Sequence, residues 1–162
     1  MKKTIRVQTE HFDAGHEMDA LREGDPKIGA VTSFVGVVRD LNENDEVSVL
    51  TLEHYPGMTE KALSDILDEA AERWPLSGAT VVHRVGPMYP TDPIVLVVTA
   101  SSHRHAAFDA CAFIMDFLKT EAPFWKKEVT PEGERWVAAR QSDDQAAARW
   151  VETESGREAG SN

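Results

Sequence analysis

The segment IVLVVTASSHRHAAFDACAFIMDFLKT, residues 94–120, decides the fold. Residues 94–100 are apolar almost without interruption and rich in β-branched side chains, which predicts a strand buried on both faces. From about residue 104 to residue 120, apolar side chains occupy nearly every side of a helix, so this helix is predicted to pack against a sheet or another subunit. A buried strand that leads into a buried helix indicates a domain with helices against a sheet.

Patterns on both sides of this segment predict further elements. Residues 29–39 and 47–54 are β-rich and separated by the polar segment 40–46, which predicts a hairpin. The other predicted elements are a helix from 58 to 74, strands at 80–85 and 124–129, and a last helix from 142 to about 150. This order predicts one α+β domain over residues 1–150, with a mixed sheet and two long packed helices, followed by a flexible acidic tail at 151–162.

Composition excludes several classes of protein. The 162 residues include 17 basic and 28 acidic side chains, a net charge of −11, which argues against binding to nucleic acid or to an anionic membrane surface. No apolar run reaches the ~20 residues that span a bilayer, and no signal peptide is visible, so a cytoplasmic protein is expected. Cys111 is the single cysteine. No metal site and no cofactor are predicted.

A cluster of polar and basic residues follows the buried strand. His103 and Arg104 lie where this strand leads into the helix, and a helix N-terminus favours an anion because its N–H groups are unpaired. Helix capping by Ser102 with ordinary surface side chains explains the same pattern. The sequence by itself leaves both readings open.

Four other cations are candidates for chemistry. Lys119 lies in the last turn of the long helix, and Lys126 and Lys127 follow the break at Pro123. Neighbouring cations lower one another's pKa, and a neutral lysine acts as a base or a nucleophile. The alternatives are a cation that balances the helix dipole and an exposed charged strand. Arg39 is either an anion clamp or a surface arginine.

Several longer motifs occur in order between about residue 29 and residue 150. They are LEHYPGMT (52–59), SHR (102–104), FIMD (113–116), LKT (118–120), APFWKKE (122–128) and PEGERWV (131–137). Together they resemble the large, catalytic subunit of molybdopterin synthase. The segment 40–46 departs from that family because it lacks the usual glycine and is unusually acidic.

The resemblance implies an α/β hammerhead fold and an enzyme of molybdenum cofactor biosynthesis. Such an enzyme converts cyclic pyranopterin monophosphate (precursor Z) into molybdopterin by installing two sulfurs as a dithiolene. The sulfur is carried as a thiocarboxylate on the C-terminal glycine of a small ubiquitin-like subunit. The implied assembly is a heterotetramer, with a central dimer of large subunits and one small subunit at each end.

The resemblance also implies roles for individual residues. Lys119 is expected to meet the terminal glycine of the small subunit, and Lys126 is expected to be the second catalytic lysine. The expected substrate-binding residues are Val37, Val38, Arg39, His103, Arg104, Lys127 and Glu128.

Two other classes of function compete with this sulfurtransferase. A non-catalytic protein that docks the tail of a ubiquitin-like partner would not need the lysines. A phosphate-ester enzyme built on residues 101–105 would need no partner, but no nucleophile–base pair supports it.

Overall fold

The computed structural model describes residues 1–42, 45–137 and 141–158, which form ten strands and four helices. The strands are β1 (Lys2–Gln8), β2 (Ala30–Val37), β3 (Leu41–Asn42), β4 (Asp45–Glu46), β5 (Val49–His54), β6 (Leu76–Arg84), β7 (Gly86–Met88), β8 (Pro93–Ser101), β9 (Phe124–Thr130) and β10 (Gly133–Val137). The helices are α1 (Ala14–Arg22), α2 (Met58–Arg73), α3 (Arg104–Glu121) and α4 (Gln141–Glu158).

The first sheet has the strand order β1-β6-β8-β2 and is mixed, because β1 runs parallel to β6 whereas the other pairs are antiparallel. Its strand β8 is buried on both faces, as predicted. Val95 and Val97 pack against α2 and α3, and Leu96 and Val98 face α1 on the other side. The predicted α+β class, mixed sheet and two long packed helices are confirmed.

Helix α3 is apolar nearly all round because it contacts both the sheet and other helices. Phe113 is fully buried, and its ring lies 5.4 Å from that of Trp74 and 5.6 Å from that of Trp150, on α4. Cys111 is buried in the same core. The packing fixes where each end of α3 lies.

The predicted hairpin of residues 29–39 with 47–54 is wrong. Strand β2 pairs with β8 in the first sheet, whereas β5 pairs with β7 and β9 in a second sheet of order β10-β9-β5-β7. Between them the short ribbon of β3 and β4 redirects the chain. Strands that are adjacent in sequence need not pair, and here β2 and β5 belong to different sheets.

Both ends of the chain differ from the predictions. At the N-terminus, β1 and α1 were not predicted, and β1 forms an edge strand in which Ile5 and Val7 alternate with the polar residues Thr4, Arg6 and Gln8. The last helix begins at Gln141 and continues to Glu158, past its predicted end near Trp150. Residues 151–158 of the predicted tail at 151–162 are thus part of α4, and the flexibility of this tail stays a prediction. Residues 159–162 lie outside the described part of the chain.

None of the helices in the described ranges has the length and apolarity needed to cross a membrane.

A close approach of two backbones joins β2 to the start of α3. The Gly29 N–H donates to Ser101 O at 3.0 Å, and a Cβ atom on Gly29 would lie 2.2 Å from Ser102 O. Gly29→Ala therefore forces the two segments apart, and we expect the free energy of unfolding to fall by about 2 kcal/mol. Urea denaturation followed by circular dichroism measures this change.

The matched control is Gly15→Ala, within α1. A Cβ atom there meets only Asp13 Oδ1 at 3.4 Å, so alanine should stabilise the helix by roughly 0.5–1 kcal/mol. A Gly29→Ala variant as stable as the unmodified chain would contradict the account of this contact.

Candidate active site

A cavity of about 520 Å³ lies where the two sheets meet the C-terminal end of α3. The first sheet contributes the end of β2, and the second sheet contributes β5 and β9. The walls include apolar side chains such as Val38, Leu52 and Leu118. In such surroundings a charge acts more strongly than in water.

Six of the nine predicted site residues line this cavity. They are Val37, Val38, Arg39, Lys119, Lys126 and Glu128. Lys119 comes from the last turn of α3, and only two residues separate that helix from β9, so the chain folds back and brings Lys126 to the same cavity. Lys126 and Glu128 are two residues apart on one strand and therefore share a face.

Lys127 lies on the opposite face of β9. Its ammonium nitrogen is 3.8 Å from Glu134 Oε2 and 5.8 Å from the centre of the Trp136 ring, both on β10. Alternation along a strand explains why three consecutive predicted residues cannot all point into one cavity.

His103 and Arg104 lie at the other end of α3. His103 is the N-cap residue, its side chain makes no capping hydrogen bond, and both side chains are exposed. The N-cap is therefore His103 and not Ser102, the residue named in the alternative reading of this turn. Arg104 and Lys119 are fifteen residues apart, which corresponds to about 22 Å along a helix. Within one chain, His103 and Arg104 therefore do not line the cavity that contains Lys119.

Glu128 is a buried carboxylate that ties the cavity wall together. Its Oε1 accepts a hydrogen bond of 2.6 Å from Asn42 Nδ2, and its Oε2 accepts bonds of 3.2 and 3.1 Å from the Arg135 guanidinium. Charge-assisted bonds of this kind are stronger than neutral ones. Glu128 thus holds β9, β10 and the segment after β2 in place around the lysines.

Sequence analysis missed His83, which lines the cavity from β6. The imidazole is buried and stacked on Phe124, with ring centres 3.8 Å apart, and its Nδ1 lies 2.8 Å from Arg84 O. Burial lowers the pKa of His83 to about 3, and the charges of Lys119, Lys126 and His54 also lower it. A histidine among the valines of the strand predicted at 80–85 was the available signal. Asn42, Phe124 and Asp143 also line the cavity and were not predicted.

The arrangement suits the binding of an anion and the stabilisation of a developing negative charge. Lys119, Lys126 and Arg39 present donors into one partly apolar cavity. Fixed donors in such a site stabilise an oxyanion without having to reorient during the reaction.

The buried imidazole makes stability depend on pH. The folded-state pKa of about 3 lies below the ~6.5 of an unfolded histidine, so unfolding below pH 6.5 takes up a proton. The neutral imidazole of His83 makes its full contribution to the free energy of unfolding above pH 6.5. This free energy falls by about 1.4 kcal/mol per pH unit as the pH drops from 6.5 towards 3. Between about pH 7 and about pH 5, urea titrations should show the unmodified chain losing about 2 kcal/mol more than His83→Gln. Equal losses in the two proteins would contradict a neutral buried imidazole.

Comparison with known proteins places the chain in a family. The model of the family described as MoaE protein matches residues 7–121. The molybdopterin synthase catalytic subunit of Ralstonia nicotianae is 62% identical over 147 residues, covering 91% of this chain and 84% of that protein. The catalytic subunit from Escherichia coli is 58% identical over 146 residues, covering 90% and 97%.

Solved structures agree with this placement. The molybdopterin biosynthesis MoaE protein from Burkholderia ambifaria superimposes with a TM-score of 0.80 at 58% identity, covering 93% of this chain and 99% of that chain. The resemblance found in the sequence motifs is therefore confirmed, and the chain belongs to the MoaE family, in which these curated relatives are catalytic subunits of molybdopterin synthase.

Proposed function

We propose that this chain converts cyclic pyranopterin monophosphate into molybdopterin, taking two sulfurs from the C-terminal thiocarboxylate of a small ubiquitin-like subunit. The observation that carries the proposal is the cavity that collects Lys119, Lys126 and Arg39 in a member of the MoaE family. The proposed location is the cytoplasm.

The lysines and the arginine have different tasks in this proposal. The Arg39 guanidinium binds the substrate phosphate, for which its planar donors are suited. Once the thiocarboxylate sulfur is bonded to the substrate, water attacks the acyl carbon of the resulting thioester, and the ammonium groups of Lys119 and Lys126 stabilise the oxyanion that forms. The bond between that carbon and the sulfur then breaks, which leaves the sulfur on the substrate and a carboxylate on the partner's terminal glycine. Lys119 meets the partner's terminal glycine, because it is exposed at the end of α3 and can be reached by a tail from outside.

A second copy of the chain completes the substrate site. Strand β2 is an edge strand, yet Phe34 and Val37 on it are 42% and 47% exposed, and Phe108 in the first half of α3 is 58% exposed. An uncovered apolar edge is unusual in a monomer. Covering it with a second copy gives the homodimer at the centre of the proposed heterotetramer.

The geometry of β2 explains how His103 and Arg104 then reach substrate. One end of the strand, at Ala30, pairs with Ser101 beside the His103–Arg104 turn, and the other end, at Val37, lines the cavity. A two-fold axis across β2 places one copy's turn beside the other copy's cavity. In this arrangement His103 and Arg104 bind the substrate phosphate from the partner copy.

Replacing Lys119 tests the catalytic proposal. Lys119→Ala should reduce dithiolene formation at least a hundredfold, the usual effect of losing one oxyanion donor, while thermal unfolding stays unchanged. The assay combines the variant, a thiocarboxylated small subunit and cyclic pyranopterin monophosphate.

The control is Lys61→Ala, which removes an exposed lysine paired with Asp65 on α2. Near-normal turnover by Lys119→Ala would contradict the catalytic role of Lys119 and favour a protein that only docks the partner's tail.

Mixing two inactive variants tests the shared site. When Lys119→Ala and Arg104→Ala chains are unfolded and refolded together, half of the dimers should contain one chain of each kind. In such a mixed dimer, one of the two sites combines an intact Lys119 from one chain with an intact Arg104 from the other. About a quarter of full activity should therefore return. Activity no higher than that of either variant would show that His103 and Arg104 do not act across the dimer.

A further inference from the structure

The main chain on the N-terminal side of Arg39 is anchored to the turn before β8. The Val38 N–H donates to Asp92 O at 2.9 Å, and the Val38 carbonyl accepts a bond of 2.8 Å from the Thr91 N–H. Val38 is also buried, whereas Arg39 is exposed and lines the cavity. The path of the chain up to Arg39 is therefore fixed by the first sheet.

On the C-terminal side of Arg39, the ribbon of β3 and β4 turns the chain back. The Val47 N–H donates to Asp40 O at 2.7 Å, and each strand of the ribbon is only two residues long. An isolated two-stranded hairpin is marginally stable at best in water, even when its strands are longer. The ribbon therefore needs an anchor outside itself to hold the chain that follows Arg39.

A network of three side chains supplies this anchor. Asn42, which is buried on β3, donates from Nδ2 to Glu128 Oε1 at 2.6 Å. The Arg135 guanidinium donates to Glu128 Oε2 at 3.1 and 3.2 Å and to Asn42 O at 3.3 Å. Each of the three residues thus bonds to the other two. Because Glu128 lies on β9 and Arg135 on β10, the network ties the ribbon to the second sheet.

The engagement of Glu128 bears on its expected role in substrate binding. Both of its carboxylate oxygens already accept hydrogen bonds from the protein, and a negative group repels an anionic substrate. A favourable effect of Glu128 on the binding of a phosphate is therefore expected to pass through the residues that it holds. Of these, Asn42 is three residues from Arg39, a span of at most about 11 Å along the chain.

We propose that Asn42 and Arg135 are positioning residues, which act with Glu128 to hold the segment 39–42 so that Arg39 is presented to the substrate phosphate. An arginine on a fixed main chain loses less conformational freedom on binding than one on a mobile loop, and its affinity for the anion is higher. The proposal deepens the proposed function and rests on it, because that function assigns the phosphate to Arg39.

Hydrogen exchange in the free chain tests the anchor without any substrate. Asn42→Ala removes the Nδ2 donor and leaves Glu128 paired with Arg135. Followed by NMR, the exchange rate of the Val47 amide should rise at least about tenfold, because a bond to a charged group no longer closes the ribbon. The Val38 amide should keep its rate. An unchanged rate at Val47, or an equal rise at both amides, overturns the proposal.

The matched control is Gln8→Ala, which removes another side-chain amide. Gln8 Nε2 donates to Glu10 O at 3.0 Å and to His11 O at 3.2 Å, at the end of β1. This variant should leave the exchange rate of Val47 and the KM for cyclic pyranopterin monophosphate unchanged. Changes as large as those in Asn42→Ala would show a general loss of stability and overturn the proposal.

Steady-state kinetics of dithiolene formation separate positioning from a merely structural role. In Asn42→Ala, the KM for cyclic pyranopterin monophosphate should rise about tenfold while kcat stays within about twofold, because the lysines keep their places. In chains that already carry Arg39→Ala, Asn42→Ala should raise KM no further, since the residue through which it acts is gone. An equal rise in both backgrounds, or a loss confined to kcat, overturns the proposal.

A second variant serves if Asn42→Ala does not fold. Arg135→Lys keeps a positive charge beside Glu128 but loses the planar fork that bonds Glu128 and Asn42 together. The exchange rate of Val47 and the KM should again rise together, with no change at Val38. Any other pattern overturns the proposal.

The failure of this proposal is distinguishable from the failure of the proposed function. If the unmodified chain forms dithiolene but its KM does not change in Asn42→Ala, only the positioning role is overturned. If Val47 responds as expected but the unmodified chain forms no dithiolene, the proposed function fails and takes the assignment of the phosphate with it. The hold of the network on the ribbon then stands.

Discussion

The burial of β8 on both faces is the constraint on which the rest of the structure depends. Its alternate side chains are covered by α2 and α3 on one side and by α1 on the other. Burying a side chain of this size contributes roughly 1.5–3 kcal/mol, so the strand cannot be left uncovered. Because only two residues separate β8 from α3, this packing also determines where the two ends of the helix lie. One end carries Lys119 into the cavity and the other carries His103 and Arg104 away from it.

The cavity concentrates positive charge in a protein that is strongly acidic overall. The net charge of −11 repels anions over most of the surface, yet Lys119, Lys126 and Arg39 converge where the two sheets meet. Partly apolar walls keep these charges from being fully screened. A small anionic substrate is thereby favoured inside the cavity, while long polyanions such as nucleic acids are not favoured on the outside.

Much of the fold could be predicted because its strongest signals are local. The apolar run of β8, the spacing in α2 and the breaks at Pro75 and Pro123 each predict an element from a few neighbouring residues. Strand pairing could not be predicted in this way: whether β2 pairs with β5 or β8 depends on which layer covers it. β1 was missed because a single-faced edge strand has few apolar residues.

In the candidate site, too, sequence motifs indicate some residues, whereas others can be identified only from the packing of the fold. The motifs identified the family, and with it Arg39, Lys119 and Lys126, all of which line the cavity. His83 was missed because its importance comes from the stacking on Phe124 and the backbone of Arg84, neither of which sequence spacing reveals. The distance between Lys119 and the His103–Arg104 pair, by contrast, follows from the single helix that the sequence predicts from about residue 104 to residue 120, which α3 confirms.

The most direct test of the central claim is a reconstitution from which each component is omitted in turn. The complete mixture holds this chain, a thiocarboxylated small subunit and cyclic pyranopterin monophosphate. The account predicts a dithiolene product that needs all three and consumes two thiocarboxylates for each molecule formed. A stable complex with the small subunit that yields no product would contradict it.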